Sequence, residues 1–244
     1  IGLVGSEMCI RDRYKHYEVV ILDNGSVDPE ALNYFDVISA KENMTVIRHD
    51  HPFNFSELNN VGVSQSRGDV LLFLNDDTEV IQADWLERLV GFAQLPHIGA
   101  VGAKLLYPEG KRIQHAGIVN LADGPGHAFL NTERQLPGYF MRNVLDYNWL
   151  AVTGACLMIE RAKFERIGRF DESFPIAYND IELCFRTVDA GYYNVVCQAV
   201  ELYHHESVSR GVDHLDNAKA QRLLNEKRRL YEKHPHYYQY DPFF

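Results

Sequence analysis

The chain has 244 residues, enough for one large α/β domain or two small ones, and its 46% hydrophobic and 24% charged content is that of a globular protein rather than a disordered one. A net charge of −10, from 24 basic and 34 acidic residues, argues against a nucleic-acid-binding surface and suits an enzyme that carries an anionic substrate on a metal. No apolar run is long enough to span a bilayer, and the four cysteines (Cys9, Cys156, Cys184, Cys197) show no paired or metal-site spacing, which points to reduced, buried thiols in a cytoplasmic protein.

Residues 1–13 have no hydrophobic period and lead into no element, so they are set aside as a non-native segment. Residues 17–22 form a buried strand that ends at Asp23-Asn24-Gly25-Ser26, a turn cluster with an acid at the strand's carboxyl end. Asp28-Pro29 predicts the cap and first residue of a helix reaching Ala40. Residues 45–48 are a short strand. Ser56 is the expected cap of the next helix, which carries Leu58, Val61 and Val63 and ends near Gly68.

The stretch at residues 69–80 is the centre of the chain. An unbroken apolar run, Val70-Leu71-Leu72-Phe73-Leu74, predicts a strand buried on both faces, and it stops abruptly at Asn75-Asp76-Asp77. Adjacent like charges repel unless a cation sits between them, so the pair suggests Mg²⁺ or Mn²⁺; a plain turn after a strand is the alternative. Next come an amphipathic helix from Asp84, with Trp85, Leu86, Leu89, Val90 and Ala93 on one stripe, and an apolar strand over residues 98–106. Alternating strands and helices predict a mostly parallel sheet with helices on both faces.

Residues 108–147 are rich in Gly, Pro and Asn, with His115 and His127, and are expected to be strand fragments and a long loop over the site. A strand over 152–159 opens with Thr153-Gly154-Ala155. Residues 161–167 predict a short helix stopped by Gly168. A further helix starts at Asn179-Asp180 and ends at Gly191. A strand or two follows, then His204-His205, and a polar helical tail. Asp180 is either an N-cap or a functional acid. Asp180 and Glu182 project about 200° apart on a helix, so only one of them points into a site. Likewise only one of His204 and His205 faces a metal, because neighbours on an extended chain alternate.

Residues 69–80, Gly154-Ala155, Asn179-Asp180-Ile181-Glu182-Leu183-Cys184-Phe185-Arg186 and His204-His205-Glu206-Ser207-Val208-Ser209-Arg210-Gly211 together resemble glycosyltransferase family 2. Phe53-Asn54-Phe55-Ser56 followed by Asn59-Asn60-Val61-Gly62 is similar to the bacterial branch that builds rhamnose-containing and other surface polysaccharides. The likeness runs over residues 14–244. It implies the GT-A fold and the inverting transfer of a sugar from a nucleotide-diphosphate sugar to a glycan or lipid-linked acceptor. It also implies a GT-A domain over 14–212, with a nucleotide-binding half (14–106) and an acceptor half (107–212), and a truncated helical tail (213–244).

By the same resemblance Asp77 and His204 hold Mn²⁺ or Mg²⁺, and Asp76 faces the ribose or the metal. Asp23 with Asn24 recognises the base, Gly154 and Ala155 lie near the donor sugar, and Asp180 is the catalytic base. Glu182 and Trp149 lie on the acceptor side. The implied enzyme works in the cytoplasm at the inner face of the membrane, with peripheral association and no nucleic-acid partner. Two departures stand out. The family's first strand, ahead of the one ending at Asp23, has no counterpart, and Asn75 replaces an acid of many relatives, which softens the expected metal affinity. Outside this resemblance, the residues also admit a nucleotidyltransferase or a non-catalytic sugar-nucleotide or glycan-binding module.

Overall fold

The computed structural model describes residue 14, residues 16–205 and residues 217–244. Residues 1–13, set aside above, and residues 206–211 of the His204 motif lie outside the described residues. The chain opens with β1 (Val19–Asp23), α1 (Pro29–Ser39) and β2 (Met44–Arg48). Asp28 caps α1 as expected, its side chain accepting from the Glu30 amide, with Pro29 at the first position. β1 and β2 pair in parallel, with Asp23 directly across from Arg48.

α2 (Phe55–Gln65) is capped by Asn54 rather than Ser56: the Asn54 side chain accepts from the Glu57 amide at 3.2 Å. Ser56 is fully buried in the first turn and donates its hydroxyl to the Phe174 carbonyl at 2.8 Å. Both residue types are good caps. A tertiary acceptor claims the serine and leaves the asparagine at the helix end.

The central sheet takes β3 (Val70–Leu74), β4 (Thr78–Val80), β5 (Ile98–Leu106), β6 (Ile113–His115), β9 (Tyr147–Trp149), β10 (Cys156–Glu160) and β11 (Tyr193–His204). Its main order is β3-β10-β5-β11-β4, with β6 on β5 and β9 on β11. The pairings are mixed. β5 and β11 run parallel, whereas β10 is antiparallel to both β3 and β5, and β4 is antiparallel to β11. A separate hairpin joins β7 (Ile118–Leu121) to β8 (Gly124–His127). Among the described residues no ladder links β1 to β3.

Helices cover both faces, as the alternation predicts. Along β10, Cys156 and Met158 join a core with Trp85, Leu89 and Ala93 of α3 (Trp85–Ala93). Leu157 and Ile159 join the opposite core, with Phe73, Phe164 and Phe170. That second core also receives Leu183 and Phe185 of α5 (Asn179–Asp189); the short α4 (Arg161–Arg166) supplies Phe164. All nine residues of β5 are buried, Lys104 through its ion pair with Glu201, whereas the apolar run of β3 alternates buried and half-buried residues and is not closed over on both faces as expected. Cys156, Cys184 and Cys197 are buried free thiols, and burial raises their pKa, for Cys156 to about 12 and for Cys197 to about 11.

The final helix, α6 (Asn217–Lys233), packs its polar side chains back onto the domain. Glu226 accepts from the Ala177 amide, Lys233 pairs with Asp171, and His234 reaches Glu182. Tyr237 beyond it is buried, its ring 4.1 Å from that of Phe185. None of the described helices is long and apolar enough to cross a membrane.

Candidate active site

The acid pair sits on a tight turn. The Asn75 carbonyl accepts from both the amide and the hydroxyl of Thr78, which closes the turn with Asp76 and Asp77 at its tip. The Asn75 amide donates to the Ala155 carbonyl at 3.0 Å, so the turn crosses the start of β10 and carries the chain from one edge of the sheet to the other. β4 then pairs with the end of β11, and Thr78 stands opposite His204. A turn and a metal site were alternatives in the sequence. Here a turn sets Asp77 against an imidazole.

His204 Nε2 lies 3.1 Å from Asp77 Oδ1. The other ring nitrogen, Nδ1, is 2.7 Å from Gln114 Oε1, an acceptor that fixes the proton on Nδ1. Nε2 therefore turns a lone pair toward a carboxylate, and it is buried without a hydrogen-bond partner. Two acceptors held this close are stable only with a cation or a proton between them. Imidazole and carboxylate, with the imidazole oriented by an amide behind it, are donors that a divalent metal accepts. His205 takes the other side of the strand: its ring meets Glu79 at 3.3 Å, while its amide donates to the Asp77 carbonyl. Asp76 is exposed at the turn tip.

Asp180 comes to the same turn region from the opposite core. It is not the cap of α5; that position is Tyr178, with a left-handed φ of 59°. A bulky residue rarely adopts this conformation without support from its surroundings. The support is visible: Phe55 and Ser56 at the start of α2 donate to the carbonyls of Pro175 and Phe174, and Glu226 accepts from Ala177. Thus held, Asp180 accepts from the Gly154 amide at 2.7 Å and the Ile181 amide at 2.8 Å. Gly154 is a close approach, since a Cβ there would stand 3.4 Å from both Asp180 and Phe55.

Position at a helix start suggests that Asp180 is held ionised at a low pKa. The balance runs the other way. Burial is the largest influence and raises its pKa, outweighing the Gly154 and Ile181 amides and the nearby His127. His127 hydrogen-bonds His115 between Nδ1 atoms at 2.9 Å. Burial, the largest influence, lowers the pKa of His115 well below the ordinary value and keeps its ring neutral. Gln114, His115 and His127 were legible only as polar residues in a Gly-rich stretch. The β5–β6 pairing and the β7–β8 hairpin bring them to the site.

The remaining expected residues divide. Glu182 is 2% exposed and gripped by Arg186, at 2.6 and 2.8 Å, and by His234 at 3.2 Å. An acceptor-facing position for Glu182 does not fit these contacts, because its oxygens are already paired within the fold. Trp149 is likewise closed off, 1% exposed, with Arg142 4.4 Å over its ring and Gly117 packed against it. A side chain at Gly117 would strike that indole, and its φ of 133° also favours glycine. Asp23 is buried, accepting from the Ser26 amide at 2.8 Å and from Arg48 at 3.1 Å. The Asn24 amide donates to the carbonyls of His49 and His51.

The profile of glycosyl transferase family 2 matches residues 7–168, well over half of the chain. The chain belongs to glycosyltransferase family 2. The domain is 46% identical over 213 residues to the uncharacterized protein y4gI of Sinorhizobium fredii, covering 86% of this chain and 23% of that protein. It is 41% identical over 209 residues to the O-antigen biosynthesis protein RfbC of Myxococcus xanthus, covering 84% and 16%. It therefore spans under a quarter of the length of these two relatives. Among solved structures, GalNAc-T7 with UDP, GalNAc and Mn²⁺ superposes with a TM-score of 0.63 at 16% identity, over 83% of this chain and 41% of that one. The mannosyltransferase PcManGT of Pyrobaculum calidifontis, in complex with GDP-Man and Mn²⁺, gives 0.61 at 16% identity, over 92% and 59%. At that identity they establish the shared GT-A fold of this glycosyltransferase domain.

Proposed function

We propose that the domain is a metal-dependent inverting glycosyltransferase, moving a sugar from a nucleotide-diphosphate sugar to a glycan or lipid-linked acceptor during synthesis of a bacterial cell-surface polysaccharide. One observation carries the reading. The Gly154-Ala155 turn links the acids of the two sides: its Gly154 amide binds Asp180, and its Ala155 carbonyl anchors the turn that presents Asp76 and Asp77. A donor-side acid and an acceptor-side acid are thereby fixed about one small turn. The similarity to RfbC supports the polysaccharide, and the Mn²⁺ complexes of the two solved relatives support the metal.

Asp77 and His204 would hold Mn²⁺ or Mg²⁺, with Gln114 setting the imidazole tautomer. A divalent ion bound there supplies Lewis-acid stabilisation of the leaving diphosphate. Asp76, exposed beside it, reaches toward ribose. Asp23, fixed by Arg48 and Ser26, and Asn24 form the rim for the base. Asp180 takes the proton of the acceptor hydroxyl as that oxygen attacks the anomeric carbon. Its raised pKa suits this, since a base is most effective when its pKa approaches the working pH. The reading places the enzyme in the cytoplasm at the inner membrane face.

The test is product analysis with a panel of nucleotide sugars, Mn²⁺ and a glycan acceptor. Release of a nucleoside diphosphate supports the assignment. Release of pyrophosphate would point to nucleotidyl transfer, and binding without turnover by the full-length polypeptide to a non-catalytic module.

A further inference from the structure

The loop after β2 and the first turn of α2 bring together His49, His51 and Glu57. One ligand atom from each lies within 4.8 Å of the others, a grouping that no other set of three His, Cys, Asp or Glu side chains matches among the described residues. The two imidazoles stack with ring centres 4.4 Å apart and planes 22° from parallel. His49 Nε2 lies 3.2 Å from Glu57 Oε1. We infer that His49, His51 and Glu57 form a second metal site, for a first-row transition ion with Zn²⁺ foremost.

The backbone is built to hold the three in place. The Asn24 side chain clamps the carbonyls of His49 and His51 at 2.8 and 2.9 Å. The His49 amide continues the ladder to the Asp23 carbonyl at 2.8 Å, and the His51 amide folds back onto the His49 carbonyl at 3.0 Å. Glu57 is fixed from the other side, its amide bound to the cap Asn54 in the first turn of α2. Two loop histidines and a helical glutamate thus converge from separately anchored segments.

Donor chemistry separates this site from the catalytic one. Two imidazoles and one carboxylate make a set that suits Zn²⁺ and leaves a fourth position for water, whereas Mg²⁺ and Mn²⁺ favour oxygen-rich surroundings. Donors around tetrahedral zinc stand about 3.3–3.5 Å apart, which follows from bond lengths near 2.0–2.2 Å. His49 and Glu57 already meet that spacing. A His49–Glu57 pair alone would give the half-exposed Glu57 its partner, and His51, stacked in the open, would add only repulsion when protonated. A bound ion gives all three a common role: it fastens the loop over residues 49–54 to α2, beside the Asp23–Arg48 rim.

The test uses the Asp77→Ala chain, in which the catalytic metal site is disabled, stripped with chelator and titrated with ZnCl₂ by calorimetry. One equivalent should bind, and the melting temperature should rise by several degrees. Co²⁺ should give the visible absorption of a four-coordinate centre. His51→Ala in this background removes an exposed ligand, and Glu57→Gln keeps the side chain's shape; each should weaken zinc affinity at least tenfold while the melting temperature in chelator stays unchanged. No zinc uptake by Asp77→Ala, or equal uptake with and without His51, would overturn the site.

Discussion

Helix α5 carries Asp180 and Glu182 two positions apart in its first turn, and its two sides treat them in opposite ways. Asp180 faces the Gly154 turn, where burial raises its pKa. Glu182 faces the tail; burial there also raises its pKa but is outweighed by the hydrogen bonds and charges of His234 and Arg186, leaving it below the usual range. One side keeps a carboxylate uncomfortable when charged, and the other stabilises a charged carboxylate within the fold. Environments that push two acids apart commonly separate a reacting group from a structural one.

The contrast has a definite sign in stability. Glu182, with its folded pKa lowered, contributes stability that is present above its unfolded pKa and lost as pH falls through the folded value. Asp180 does the reverse: its contribution is full below the unfolded pKa and is lost as pH rises through the raised folded value. At neutral pH the fold therefore bears a cost for Asp180 and draws support from Glu182.

The largest expected effect lies upstream of the comparison, at the metal on which donor binding depends in the proposed function. Asp77→Ala should abolish Mn²⁺-dependent nucleotide affinity in calorimetry; an unchanged affinity would remove Asp77 from the donor site. Gln114→Leu should weaken the same affinity by roughly 10–100-fold, because the His204 tautomer is no longer fixed.

Asp180→Asn addresses the comparison directly. Turnover should fall by roughly a hundredfold or more, with donor affinity little changed. The melting temperature at neutral pH should change little, since a costly charge is removed while one of the Gly154 and Ile181 amides loses its acceptor. In the unsubstituted enzyme the acidic limb of the turnover–pH profile should lie above the ordinary carboxylate range. Glu182→Gln should give the mirror image, with a stability loss of roughly 3 kcal/mol from a broken buried pair. That corresponds to about 10 °C in melting temperature for a chain of this size. If Glu182→Gln abolishes turnover in a folded protein while Asp180→Asn does not, the two roles are reversed.

What the sequence makes legible follows the range of the interaction. The Trp85 stripe, the buried run of β5 and the Asp28-Pro29 helix start are local patterns, and each appears as expected. The acid pair at the end of β3 is local too. The partners that tune the site are not. Gln114 meets His204 across 90 residues, and Ser56 is drawn from capping by a carbonyl 118 residues away. No spacing rule encodes such meetings, which depend on the sheet order and on the crossing of β10. The raised pKa of Asp180 is not legible for the same reason: the helix start is visible in the sequence, but the packing around it is not.

The smallest effect sharpens the comparison most finely. His234 follows α6 and meets Glu182 across 52 residues, so it reports whether the tail side of α5 is structural throughout. Arg186 holds Glu182 through two hydrogen bonds, Nε to Oε1 at 2.8 Å and Nη2 to Oε2 at 2.6 Å, a bidentate contact that remains when His234 is changed. His234→Gln keeps a donor of similar reach and removes only the imidazole's capacity for charge. The cost should be at most about 1 kcal/mol, because a charge-assisted hydrogen bond is replaced by a neutral one. Losing that support moves the Glu182 pKa upward, so acid unfolding should begin at a higher pH than in the unsubstituted protein. Turnover should be unchanged, because nothing on the Asp180 side is touched. Thermal melts across an acid pH series, paired with steady-state kinetics at neutral pH, read both quantities. A fall in turnover approaching that of Asp180→Asn, with stability intact, would mean that the tail side of the helix belongs to the catalytic site after all.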